Sequence, residues 1–173
     1  MHAIESYSFL TSKGVLKLNL IEDVEPNNGR MLYKVSLFLD NKNVTTSYFG
    51  DWDHINYYLD HYQLISADKR WIYIPKENNH FLIDSETLEK IDLLPVHLSA
   101  AVFIGNIFYE HSLFVVIHNE IISKNLQTGK SKRLKRLEKG IYYYEIVSND
   151  SKNIVIRRSD GIFDRIIMES LHV

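Results

Sequence analysis

Set against itself at an offset of 41 residues, the chain from residue 64 onward falls into register. Ile72 lands on Leu113, and Leu113 on Ile154. Tyr73 lands on Phe114 and then Val155, Ile74 on Val115 and then Ile156, and Phe81 on Ile122 and then Phe163. Asp84 meets Asn125 and Thr87 meets Thr128, while Ser66 and Asp68 meet Ser148 and Asp150 two periods on. Each unit reads as a polar turn, a short apolar strand, a second turn and another strand, as in LISADKRWIYIPKENNHFLIDSETLEKI at 64–91. A period near 40 residues with about four short strands implies small sheets stacked side by side, because one such sheet cannot bury both faces alone.

The remaining sequence supports a mainly β fold. Strands are expected at 5–10, 15–21, 31–40 and 44–49, where VLKLNLI at 15–21 alternates like a strand with one wet face. In DWDHINYYLDHY at 51–62, Asp51 can cap a helix and Trp52, Ile55, Leu59 and Tyr62 follow helical spacing, so one short helix is expected. Further strands are expected at 62–66, 70–75, 80–84, 88–93, 100–104, 106–110, 112–118, 120–125, 131–136, 141–147, 153–158 and 161–168. Turn chemistry such as SADK, DSET, QTGK and SDG separates them. The expected organisation is an antiparallel N-terminal region, 1–62, ending in the helix, then about three propeller-like β-meander units in 63–173. In this grammar 64–168 resembles WD-repeat and quinoprotein-type propellers, without a Gly-His … Trp-Asp pair in register. Closed propellers usually have four or more blades. Three units therefore leave a sheet face that the N-terminal strands, a second protomer or a foreign partner must cover.

Composition bounds the function. The chain has 173 residues, a formal net charge of −2 and no cysteine. Disulfides and thiolate metal sites are excluded, and the charge argues against a general nucleic-acid binder. No basic segment leads into an apolar one at the N-terminus, and no apolar run approaches the roughly 18 residues of a membrane helix. A soluble cytoplasmic protein with no membrane partner is expected.

Catalytic motifs do not stand out. There are eight histidines, but no HExxH, no His pair at i and i+4 and no His-x-His. His54 and His61 could share a helical face; His80, His111 and His118 sit beside strand ends. Glu110–His111 and Asp53–His54 are adjacent, which on a strand points them to opposite faces. Ser66 and Ser112 lack a GxSxG context, and there is no P-loop or GxGxxG. The expectation is a non-enzyme with no catalytic residue, no metal and no cofactor.

Two charged segments remain. KNLQTGKSKRLKRLEKG at 124–140 carries Lys124, Lys130, Lys132, Arg133, Lys135, Arg136 and Lys139 against Glu138. Such a strip can track phosphates, or guard a sheet edge against aggregation. It contains no aromatic residue on which a base could stack, which favours the guarding role. Residues 1–62 are acidic, with eight Asp or Glu against five Lys or Arg. Glu22, Asp23, Glu25, Asp51, Asp53 and Asp60 accompany Trp52, Tyr57 and Tyr58, and rings beside charge of one sign are an interface signature. These nine residues are the expected partner-binding set.

This whole-chain profile is similar to that of bacterial immunity proteins, such as those of contact-dependent growth inhibition, which are small, cysteine-poor and cytoplasmic. The resemblance implies a non-enzymatic inhibitor that binds and occludes a cognate toxin domain, a nuclease with a basic cleft being one suitable class. The alternatives are an enzyme or ligand-binding site at the axis of the repeats, and RNA binding through 124–139. A homo-oligomer stays open.

Overall fold

The structure, a computed structural model, describes residues 3–24, 29, 31–49, 61–76, 79–93, 102–150 and 152–168. Among these residues the chain is mainly β, with fourteen strands in four antiparallel sheets. It divides into two compact units, Met1–Tyr57 with Leu64–Pro95, and Tyr58–Gln63 with Val96–Val173.

In the first unit β1 (Ala3–Thr11), β2 (Gly14–Val24), β3 (Met31–Leu39) and β4 (Lys42–Phe49) form a four-stranded meander. Its alternation sets one face: Leu16, Leu18 and Leu20 of β2 and Tyr33, Val35 and Leu37 of β3 are buried. The β3–β4 turn places Asp40 and Asn41 in the left-handed region, at φ 45° and 65°, as a tight hairpin requires. The Asp40 carboxylate also accepts the Val15 amide at 2.9 Å.

The same unit contains β5 (Trp71–Ile74), β6 (Phe81–Asp84) and β7 (Lys90–Asp92). Residues 64–66 flank β5: Ser66 N donates to Trp71 O at 3.0 Å, and Tyr73 N to Leu64 O at 2.8 Å. Ser47 Oγ donates to the Pro75 carbonyl at 2.8 Å and Lys13 Nζ to the Thr87 carbonyl at 2.9 Å, which ties the two sheets of this unit together.

Beneath β5, the Tyr73 hydroxyl and His80 Nδ1 lie 2.8 Å apart in a buried pair. Burial pushes the His80 imidazole down to about 3 from its ordinary 6.5, so it is neutral in the folded chain. The unfolded chain therefore binds the extra proton between those two values. Stability should be full above pH 6.5 and fall as pH drops below it. Urea midpoints compared at neutral and mildly acidic pH should show this decline, and His80→Gln should flatten it.

The second unit holds β8 (Phe103–Tyr109), β9 (Ser112–Ile117), β10 (Glu120–Asn125) and β11 (Ser131–Arg136) in one sheet, and β12 (Tyr143–Asn149), β13 (Asn153–Arg158) and β14 (Phe163–Ile167) in another. Ile107, Phe114, Val116 and Ile121 of the first sheet pack with Tyr143, Ile146, Ile154 and Ile156 of the second. The strands expected at 100–104 and 106–110 are one strand, β8, kept continuous through a register shift between Phe103 and Gly105. Of the helix expected over 51–62, residues 51–60 lie outside the described residues. His61 sits in a turn and Tyr62 makes an isolated bridge to Asn106.

The offset of 41 carries into the hydrogen bonds. Ile72, Leu113 and Ile154 are all fully buried. The Asp84 side chain accepts the amides of Glu86 and Thr87, and the Asn125 side chain those of Gln127 and Thr128. Leu88 N donates to Asp84 O, and Gly129 N to Asn125 O, with Leu88 and Gly129 both left-handed. Ser85 N donates to Arg70 O and Leu126 N to His111 O, each at 2.8 Å. One turn design is thus built twice from an Asp/Asn-x-x-Thr sequence.

Candidate functional site

The β12–β14 sheet has one face in the core and one in solvent. Cross-strand partners share a face, so Phe163 with Arg157, and Arg165 with Val155, lie opposite the buried Ile154 and Ile156. Two register shifts in β12, at Tyr143/Glu145 and Ile146/Ser148, skip Tyr144 and Val147, and both point outward. Phe163 is 55% exposed, Tyr144 51%, Ile167 49% and Val147 49%. The repeat register shows how unusual this is. Phe81 and Ile122, the counterparts of Phe163, are buried, and so is Leu126, the counterpart of Ile167. The face's charges are engaged locally: Arg157 pairs with Glu145 and stands 5.6 Å over the Tyr144 ring, and Arg165 Nε donates to Asn153 at 3.1 Å.

Beside this sheet, within the same unit, lies a groove of about 370 Å³ lined by His118, Asn119, Tyr142 and the 136–141 segment. The His118 and Tyr142 rings stack at 4.6 Å with only 10° between planes, and Tyr144 follows at 6.3 Å. The basic strip borders the groove on β11, where buried carboxylates hold much of its charge. Arg133 Nε contacts Glu120 Oε2 at 2.9 Å and Arg136 Nε contacts Glu120 Oε1 at 3.4 Å. Lys135 Nζ meets Asp164 Oδ1 at 2.7 Å. The buried Tyr143 hydroxyl donates to Asp164 Oδ2 at 3.1 Å; burial and the neighbouring carboxylate raise its pKa. Arg136 and Lys139 open into the groove.

Of the nine residues expected to bind a partner, Glu22 and Asp23 fall at the end of β2. Asp23 Oδ2 is held by Lys34 Nζ at 2.9 Å, and this bond, with the Val24 amide, lowers its pKa. Lys34 therefore offsets part of the acidic field. Glu25, Asp51, Trp52, Asp53, Tyr57, Tyr58 and Asp60 lie outside the described residues, as does His54.

Several other sequence candidates hold turns. Glu110 and His111 form the β8–β9 turn rather than strand, with Glu110 at φ 49° in the left-handed region that two-residue turns demand. Ser66 Oγ bonds to Asp68 at 2.6 Å and accepts the Trp71 amide. Among the described residues no three His, Asp or Glu side chains gather closely enough to hold a metal ion. No described helix is long and apolar enough to cross a membrane.

No family model and no curated protein matches the chain. Among solved structures it is similar to the extracellular domain of the one component system BT4673 from B. thetaiotaomicron, with 11% identity and a TM-score of 0.45, over 86% of this chain and 20% of that one. It is also similar to the AfRom2 CNH domain, with 8% identity and a TM-score of 0.37, over 96% of this chain and 55% of that one. The chain thus spans about a fifth and about half the length of these two structures.

Proposed function

We propose that the chain is a non-enzymatic, cytoplasmic binding protein that occludes a cognate toxin domain. The supporting observation is the solvent face of β12–β14. It presents Phe163 and Ile167 at positions whose repeat counterparts are buried. Exposed apolar side chains gathered on one sheet face mark a surface that another protein covers. Aromatic rings with an adjacent arginine, as in Tyr144 and Arg157, suit the centre of such a contact. The carboxylates of Glu22, Asp23, Glu25, Asp51, Asp53 and Asp60 carry the negative charge that would draw in a basic cleft of the nuclease type, with Trp52, Tyr57 and Tyr58 as contact rings.

The two parts have separable kinetic signatures. Contact residues set the dissociation rate, whereas distant charge sets the association rate and its salt dependence. Phe163→Ser with Ile167→Ser should raise the dissociation rate about tenfold or more. Glu22→Lys, Asp51→Lys and Asp53→Lys together should slow association several-fold at low salt and little at high salt. Surface plasmon resonance with the toxin domain separates the two.

Growth rescue tests the function itself. C-terminal domains of secreted proteins encoded beside this chain's gene are expressed in a host with and without the chain. Survival together with an isolable equimolar complex is the expected result; death unaltered by the chain for every such domain would refute the proposal.

A further inference from the structure

We propose that the groove beside β11 binds single-stranded nucleic acid, with bases stacking on the His118–Tyr142 pair and phosphates meeting Arg136 and Lys139. The basic strip contains no aromatic residue, and on sequence alone that counts against such a role. The fold supplies the missing rings from elsewhere. His118 comes from the β9–β10 turn, and Tyr142 from the residue before β12. The Tyr142 amide donates to Ser159 Oγ at 3.1 Å and its carbonyl accepts the Ser159 amide at 2.8 Å, which fixes the backbone that carries the ring. His118 is pinned likewise: its amide donates to Val102 O and its carbonyl accepts the Tyr143 amide. The close stack of the two rings orders the side chains themselves, so they lose little freedom on binding.

Magnitudes assign the roles. Arg136 and Lys139 face Glu138 in the groove, a local balance of +1. Glu120 already takes part of the Arg136 charge. Phosphate attraction is therefore modest, and stacking carries most of the affinity. Two phosphate contacts give a slope of about −1.4 for log K against log salt on a single strand. A stacked ring pair flanked by few cations fits unpaired bases better than a duplex, whose bases are sheathed in phosphate and stacked on one another.

This site does not rest on the toxin reading and is tested without a toxin. Fluorescence anisotropy measures the full chain against labelled oligo-uridine, oligo-thymidine and a duplex, with poly-glutamate as a competing polyanion. The expected result is binding of one or both single strands, with the shallow salt slope and weaker competition by poly-glutamate. His118→Ala and Tyr142→Ala each weaken binding about tenfold, and Lys139→Glu weakens it several-fold while flattening the salt slope. His118 is exposed and Tyr142 half-buried, and circular dichroism verifies that each variant is folded. No binding of any oligonucleotide at low salt overturns the proposal. So does equal binding of poly-glutamate with ring variants that behave as wild type, which would indicate an acidic protein as the ligand.

Discussion

Gly105→Ala should lower the melting temperature by about 6–12 °C, which corresponds to about 3 kcal/mol in a chain of this size. A β-carbon at 105 would stand 2.6 Å from Cδ1 of Ile146 and closer still to the carbonyl oxygen of His61. That oxygen accepts the Asn106 amide at 3.0 Å, so it cannot withdraw without breaking the bond. The damage spreads through one network. Asn106 Oδ1 accepts the Gln63 amide, Asn106 Nδ2 donates to the Gln63 carbonyl, and Gln63 Oε1 accepts the Phe108 amide. Asn106 is fully buried, so each lost partner leaves a polar group without water. A thermal melt followed by circular dichroism measures the effect. A midpoint within about 2 °C of wild type would show that residues 61–63 are not held against β8 in this way.

Asp84→Ala should cost about 2–3 kcal/mol, and Asp84→Asn less than half of that. The Asp84 carboxylate takes Arg70 Nε and Nη2 at 2.7 and 2.6 Å, and also the amides of Glu86 and Thr87. Asparagine keeps the two amide bonds, as Asn125 does at the equivalent turn, and gives up only the ion pair. Burial alone would raise the Asp84 pKa; the Arg70 and amide bonds outweigh it and hold the group below the usual carboxylate range. Its stabilisation is therefore full above the ordinary aspartate value and is lost as pH falls through the lowered one. Urea titration of the three proteins at neutral pH checks the order. Equal losses for Ala and Asn would assign the stability to Arg70 instead of the turn.

Much of the fold was legible because its signals are local. Strand alternation in VLKLNLI and the Asp/Asn-x-x-Thr turns need only neighbouring residues, and both meanders follow them. The 41-residue register was legible as well, since burial recurs at Ile72, Leu113 and Ile154. Exposure was not. Phe81, Ile122 and Phe163 are interchangeable to a pattern of residue types, yet only the first two are covered. What lies opposite a side chain depends on neighbouring sheets, and no short window encodes that. The bulges that turn Tyr144 and Val147 outward were hidden for the same reason: YYYEIV reads as uninterrupted strand until the pairing with β13 is known. The His118–Tyr142 stack joins residues 24 positions apart, so no scan within the basic strip could find it. The Asp23–Lys34 pair crosses from β2 to β3, so the acidic segment by itself does not reveal it.

Hydrogen–deuterium exchange of the chain, alone and with the toxin domain that it neutralises, addresses the central claim most directly. If the molecule works by contact, β12 and β14 amides around Tyr144, Phe163 and Ile167 should slow markedly in the complex, and Phe163→Ser with Ile167→Ser should abolish that protection along with growth rescue. A complex that forms and rescues growth while exchange across β12–β14 is unchanged would contradict it.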